Sequence, residues 1–194
     1  MDIQDRRKVL RAYADSPAVE QLLEVECTGG SGARVRYYIK FDGLLRLVHR
    51  GSAWIGKNGP GKTGEGDART PLGELRPLRA FGILPDPGTA LEYIPVTPGT
   101  LACDCEGPFY NRIVKPADYG ASAPGGERMW ELSPEYDYGL QTDFNPRNEY
   151  PLGSAIFIHC KGARTWTGGC VALDKRIMRQ ILKTATGGLR IWIH

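Results

Sequence analysis

The sequence predicts a mostly-β fold in one domain, and three observations carry that expectation. Gly (25) and Pro (14) both exceed average use in a chain of 194 residues, which favours short strands joined by many turns. Between residues 21 and 56, apolar runs are separated by turn chemistry, most plainly Asp42-Gly43, the signature of a tight hairpin. Helical spacing is confined to the two ends of the chain.

Residues 3 to 13 carry the first helical pattern, with Val9, Leu10 and Tyr13 on one face. Ser16 before Pro17 has the chemistry of a second helix start. Residues 1–20 therefore read as an N-terminal helical extension and 21–194 as the main domain. The runs QLLEVECT, ARVRYYIKF and LLRLVHRGSAWIG predict an antiparallel meander over residues 21–56. Residues 57–77 are loop-like, and LRAFGILP offers a short strand. Residues 86–148 are long and irregular, but their many aromatics argue against disorder. SAIFIHC (154–160) reads as a buried strand, VALDKRIMRQILKTA as a helix capped by Asp174, and LRIWIH as a closing strand.

Composition narrows the function. Apolar residues at 41% and charged residues at 24% give an ordinary globular balance with material for one core. The net charge of +3 comes from scattered basic residues, which is not the footprint of a nucleic-acid binder. No apolar run is long enough for a transmembrane helix, and the first ten residues lack the apolar core of a secretory signal. The chain is thus either cytoplasmic or the trimmed region of a longer protein. Five cysteines are an odd count, so at least one thiol is expected to be free. Cys103 and Cys105 lack the C-x-x-C spacing of structural zinc sites, and no metal or other cofactor is predicted.

One motif points elsewhere. GKNGPGKT, residues 56–63, matches the phosphate-loop pattern letter for letter. Such a loop works because a helix begins at its Lys-Thr and turns its N-terminus to the anion. Here Thr63 is followed by GEGDARTPLGEL, whose glycines and proline preclude a helix, so nucleotide binding is not expected.

The chemistry concentrates in IFIHCKGARTWTGGCVAL. His159 ends an apolar run; Cys170 follows Gly168-Gly169 and precedes the helical pattern. Backbone N–H groups and a helix N-terminus beside Cys170 would favour its thiolate, and the same N–H groups would hold an oxyanion. His159 would serve as base and then acid.

This segment resembles the catalytic motif of the L,D-transpeptidase (YkuD-type) family, with His159, Thr167, Gly168, Gly169 and Cys170 at the motif positions. The likeness extends upstream to Gly66, Asp67, Thr70, Pro71 and Gly73 of GDARTPLG, and to FYNRIV, GGERMWE, YDYGLQTDFN and GSAIFIH. It covers roughly residues 21 to 194. Two positions depart from the common form Ser-His-Gly-Cys: Gly168 stands where that form has His, and Ala172 where it has Arg or Asn. The resemblance implies a sandwich-like, mostly-β catalytic domain with a helix following the nucleophile and long irregular loops. It implies a cysteine acyltransferase that cross-links peptidoglycan stem peptides without a cofactor, and an extracytoplasmic place of work. Hydrolysis of the same bond, as an L,D-carboxypeptidase, and a weakened cell-wall binding module are the other readings left open. Tyr110, Asn111, Trp130 and Tyr138 are expected to line the peptide groove, and Arg164, Arg128 or Glu127 to bind substrate by taking over part of the orientation role that the two departures remove. Nothing in the sequence speaks to oligomeric state.

Overall fold

A computed structural model describes residues 2–194. The meander forms as expected: β1 (Gln21–Gly29), β2 (Gly32–Phe41) and β3 (Leu44–Trp54) pair antiparallel in sequence. Three further strands carry the main sheet, β4 (Gly73–Leu75), β5 (Pro77–Gly82) and β6 (Tyr93–Pro95). The irregular stretch then yields β7 (Leu101–Ala102), β8 (Ile113–Val114), the short helix α2 (Pro116–Tyr119) and β9 (Glu127–Arg128). β10 (Gly139–Thr142), β11 (Phe157–Cys160), β12 (Val171–Leu173) and β13 (Leu189–Ile193) complete the strands. Helix α1 (Ile3–Asp15) opens the chain and α3 (Lys175–Thr184) lies between β12 and β13.

Ten strands form one mixed sheet in the order β4-β13-β1-β2-β3-β12-β11-β10-β5-β6, and β8-β7-β9 form a second, small one. In a flat sheet β4 and β5 would lie about 38 Å apart at ~4.8 Å per strand. Arg76 alone joins them, a reach of at most about 7 Å. The sheet therefore bends back over itself, which produces the sandwich-like core. Leu75 and Ala80 share that core with Val25, Val35, Ile158 and Ile193, and α3 fills it with Ile177, Met178, Ile181 and Leu182.

The opposite face carries two smaller clusters. One lies under α1, where Val9, Leu10 and Tyr13 pack on Leu22, Tyr38 and Trp192. The N-terminal extension is thus docked on the sheet, and the buried Glu24 receives Arg6, Tyr38 and His194 there. No second helix begins at Ser16; it is the C-cap of α1, its N–H bonded to the Ala12 carbonyl. The other cluster joins Phe81, Ile94, Val96, Ala102, Met129, Tyr136 and Phe157 around Cys170. Residues 93–136, which sequence patterning left irregular, are the cover over this face.

Residues 56–70 connect β3 to β4 without a helix. Gly56 allows a close backbone approach: a methyl there would run into the Ala68 carbonyl. Lys62 is almost wholly buried, its side chain only 2% exposed, and pairs with Asp67 at 2.9 Å. Burial opposes the charge of Asp67, but the N–H groups of Thr63 and Arg69 and the Lys62 ammonium hold its carboxyl far below the usual range. Lys62 is therefore an internal partner of Asp67 and does not face solvent.

Candidate active site

Strand register places the two expected catalytic residues on one face. β11 and β12 run parallel, with Ile158 opposite Val171 and His159 opposite Ala172. Cys170 thus lies level with Phe157, one strand across and two positions back from His159. That offset corresponds to a Cα separation of about 8 Å, and side-chain alternation directs both residues to the covered face. Cys160 alternates to the other side and belongs to the main core.

The Cys170 thiol is 9% exposed as a residue, donates to the Ala155 carbonyl (3.1 Å) and accepts the Phe157 N–H (3.3 Å). The helix that follows, α3, starts at Lys175 behind the expected Asp174 cap, with the short strand β12 between it and Cys170. Burial pushes the Cys170 thiol up to about 12, only partly offset by the Phe157 N–H. The expected lowering of the thiol is therefore not met: with the helix N-terminus five residues downstream of Cys170, desolvation outweighs it. Burial also lowers the pKa of His159, against the carbonyls of Cys160 and Glu135, so both partners rest uncharged at neutral pH. His159 Nδ1 lies 2.8 Å from the Cys160 carbonyl. Among the described residues no hydrogen bond joins His159 to the Cys170 thiol.

The loop before Cys170 is fixed by two threonines. Thr167 Oγ1 accepts the Gly169 N–H (3.1 Å) and donates to the Cys170 carbonyl (2.7 Å). Thr70, fully buried, accepts the Gly56 N–H (2.8 Å) and donates to the Gly169 carbonyl (2.7 Å). The Gly169 N–H is thus engaged and is no free oxyanion donor in this state. A methyl at Gly169 would press on the Arg69 carbonyl at 2.8 Å, whereas one at Gly168 would meet open space.

The predicted groove residues fall into three groups. Tyr110 is a buried strut, its hydroxyl accepting the Gly153 N–H and donating to Glu65. Asn111 is a positioning residue: its amide donates to the Phe144 and Asn145 carbonyls and its Oδ1 accepts the Ala155 N–H (2.9 Å). Ala155 stands at φ 50°, a strained value for a residue with a Cβ, and its carbonyl is the one that holds the thiol.

Tyr138 corrects the prediction, since it packs in the main core behind the sheet. Tyr136 takes the place expected of it. Its ring meets His159 edge-on at 5.4 Å and touches Phe81 and Phe157, and its hydroxyl donates to Glu127. Glu127 is exposed as a residue, yet its carboxyl dips beside Tyr136 and is raised in pKa, mainly by that burial.

The third group lies on the surface. Arg128 turns to Glu131 (3.4 Å), Trp130 is 44% exposed, and Arg164 lies over the Trp166 ring at 5.0 Å, which Lys57 also approaches at 5.3 Å. A hollow of about 520 Å³ opens away from Cys170, between β5, β10 and β8. Asn111 is the one predicted site residue on its wall, so this hollow is not where the chemistry lies. Cys103 is buried and Cys105 exposed, both as free thiols.

The family signature of the YkuD L,D-transpeptidase catalytic domain matches residues 33–193. The chain belongs to this family. YkuD domains are associated with L,D-transpeptidase-type chemistry on peptidoglycan. No curated protein matches the chain. Among solved structures it is similar to the helical cell shape determining protein Pgp2 of Campylobacter jejuni, at 16% identity and a TM-score of 0.48, over 97% of this chain and 55% of Pgp2. It is also similar to Bd1075 of Bdellovibrio bacteriovorus, at 13% identity and a TM-score of 0.47, over 91% of this chain and 48% of Bd1075. The chain spans about half the length of these proteins. No helix among the described residues is long and apolar enough to cross a membrane.

Proposed function

We propose that this YkuD domain is a cysteine-dependent acyltransferase that joins peptidoglycan stem peptides through a thioester. The observation that carries the reading is the register of β11 and β12, which turns Cys170 and His159 to the same face. As a peptide carbonyl enters, the thiol leaves the Ala155 carbonyl and passes its proton to His159 while Sγ bonds to the carbonyl carbon. The backbone N–H groups of Gly168 and Cys170 are assigned to the developing oxyanion, since the Gly169 N–H is taken by Thr167. Collapse breaks the C–N bond to the terminal residue, whose amine takes the proton from His159. An amine of a second stem then bonds to the thioester carbon, the C–S bond breaks, and the amine's proton returns to sulfur through His159. Glu127, Trp130, Arg128 and Arg164 form the open side of the groove, and Tyr136 holds the His159 ring. The work is assigned to the cell wall, outside the cytoplasm.

If water replaces the amine, the same steps yield an L,D-carboxypeptidase. Product analysis with purified stem tetrapeptide separates the two. Cross-linked dimer is the expected product; shortened peptide alone would assign hydrolysis.

A further inference from the structure

Ala172 lies at the centre of the covered face, and its neighbours across the sheet define what surrounds it. In the sheet, Ala172 lies between His159 on β11 and Trp54 on β3. Trp54 therefore shares the covered face with Cys170 and His159. By strand geometry its Cα, like that of His159, is about 8 Å from the Cα of Cys170, on the opposite flank. Opposite Trp54 on β2 is Gly32, which places no side chain beside the indole at that position.

Lys161 follows His159 by two residues and so rises from the same face. Its ammonium lies 5.0 Å from the Trp54 ring centroid and donates to Ser52 Oγ at 2.8 Å. Among the described residues it forms no salt bridge. Asp174 is near enough to act on it electrostatically, but burial dominates and lowers the Lys161 pKa. Arg128, by contrast, already has Glu131, and Arg164 rests on Trp166. A half-buried cation held by an aromatic face and a hydroxyl gains most from a ligand that brings the missing negative charge.

We infer that Lys161, seated on Trp54, is a binding subsite for a carboxylate of the peptide ligand, about 10 Å or two to three extended residues from the carbonyl that Cys170 attacks. The inference rests on the acyl-transfer reading for which peptide is bound. The ligand is an anionic peptide whose carboxylate lies on the side of the scissile bond away from the leaving residue. The terminal carboxylate of the leaving residue, one residue from the reacting carbonyl, is too close to reach Lys161.

Three synthetic stem tetrapeptides test this with the full chain: one with all carboxylates free, one with the second residue's α-carboxylate amidated, and one with the C-terminus amidated. Wild type is expected to show a KM at least about tenfold lower for the first than for the second, the size of one charge-assisted contact. Lys161→Met should abolish that difference with kcat nearly unchanged, and Lys161→Arg should restore most of it. Calorimetry on Cys170→Ala with the same peptides reads the subsite without turnover. An unchanged preference in Lys161→Met, or one that follows the C-terminal amide instead, overturns the subsite and leaves the acyl-transfer reading intact. No turnover of any peptide by wild type overturns that reading, while the calorimetric comparison still decides on Lys161.

Discussion

Thr70 Oγ1 donates to the Gly169 carbonyl at 2.7 Å, across 99 residues of chain, and so ties the glycine-rich connection to the residue before Cys170. The same hydroxyl accepts the Gly56 N–H, and all of this is buried. GKNGPGKT and GDARTPLG are thus one device that shapes the back of the active-site loop. Thr70→Val leaves a buried donor and a buried acceptor unpaired, a cost of about 1–3 kcal/mol. Urea unfolding should show that loss, with Thr70→Ser close to wild type. Equal stability of Thr70→Val and wild type would contradict the tie.

The resting thiol supplies a pH prediction. Cys170 is pushed up to about 12, and His159 is lowered from its ordinary value. Raising the thiol's pKa favours its protonated form, so thiolate grows with pH throughout the accessible range. Alkylation of Cys170 by iodoacetamide, followed by peptide mass, should climb steadily from pH 6 to pH 10. A plateau near neutrality would indicate a preformed thiolate–imidazolium pair and contradict the uncharged resting state.

Two adjacent glycines should respond differently to substitution. Gly168 faces open space, so Gly168→His, which restores the common family motif, should fold with wild-type stability. Gly169 sits at φ 148° with the Arg69 carbonyl 2.8 Å from where a methyl would lie. Gly169→Ala should cost about 1–3 kcal/mol and slow acylation of Cys170. Thermal melts of both variants check this, and a larger loss for Gly168→His than for Gly169→Ala would refute it.

The sequence was informative wherever neighbours in the chain are neighbours in space. Alternation and the Asp42-Gly43 turn specified the β1–β3 meander, and Asp174 marked the start of α3. The strand order was hidden, because the parallel pairing of β1 with β13 joins the two ends of the chain. The motif placed His159 and Cys170, but not their electrostatics. The short strand over Val171–Leu173 was hidden, because only its pairing with β11 and β3 defines it. Tyr136 and Tyr138 lie in a turn, where alternation assigns no face, so only the fold shows that Tyr136 meets His159 and Tyr138 packs in the main core. Thr70 lay within a quoted motif, yet its role depends on Gly56 and Gly169, which only the fold brings together. Lys161 was legible in retrospect from its period of two with His159.

The central claim is that Cys170 carries the acyl group and His159 moves its proton. Intact-mass spectrometry of the full chain mixed with stem tetrapeptide tests it most directly. Wild type should gain the mass of the acyl fragment, with the terminal residue released. Cys170→Ala should gain nothing, and His159→Gln should acylate at least about a hundredfold more slowly. An adduct that persists in Cys170→Ala, or wild-type turnover in His159→Gln, would contradict the account.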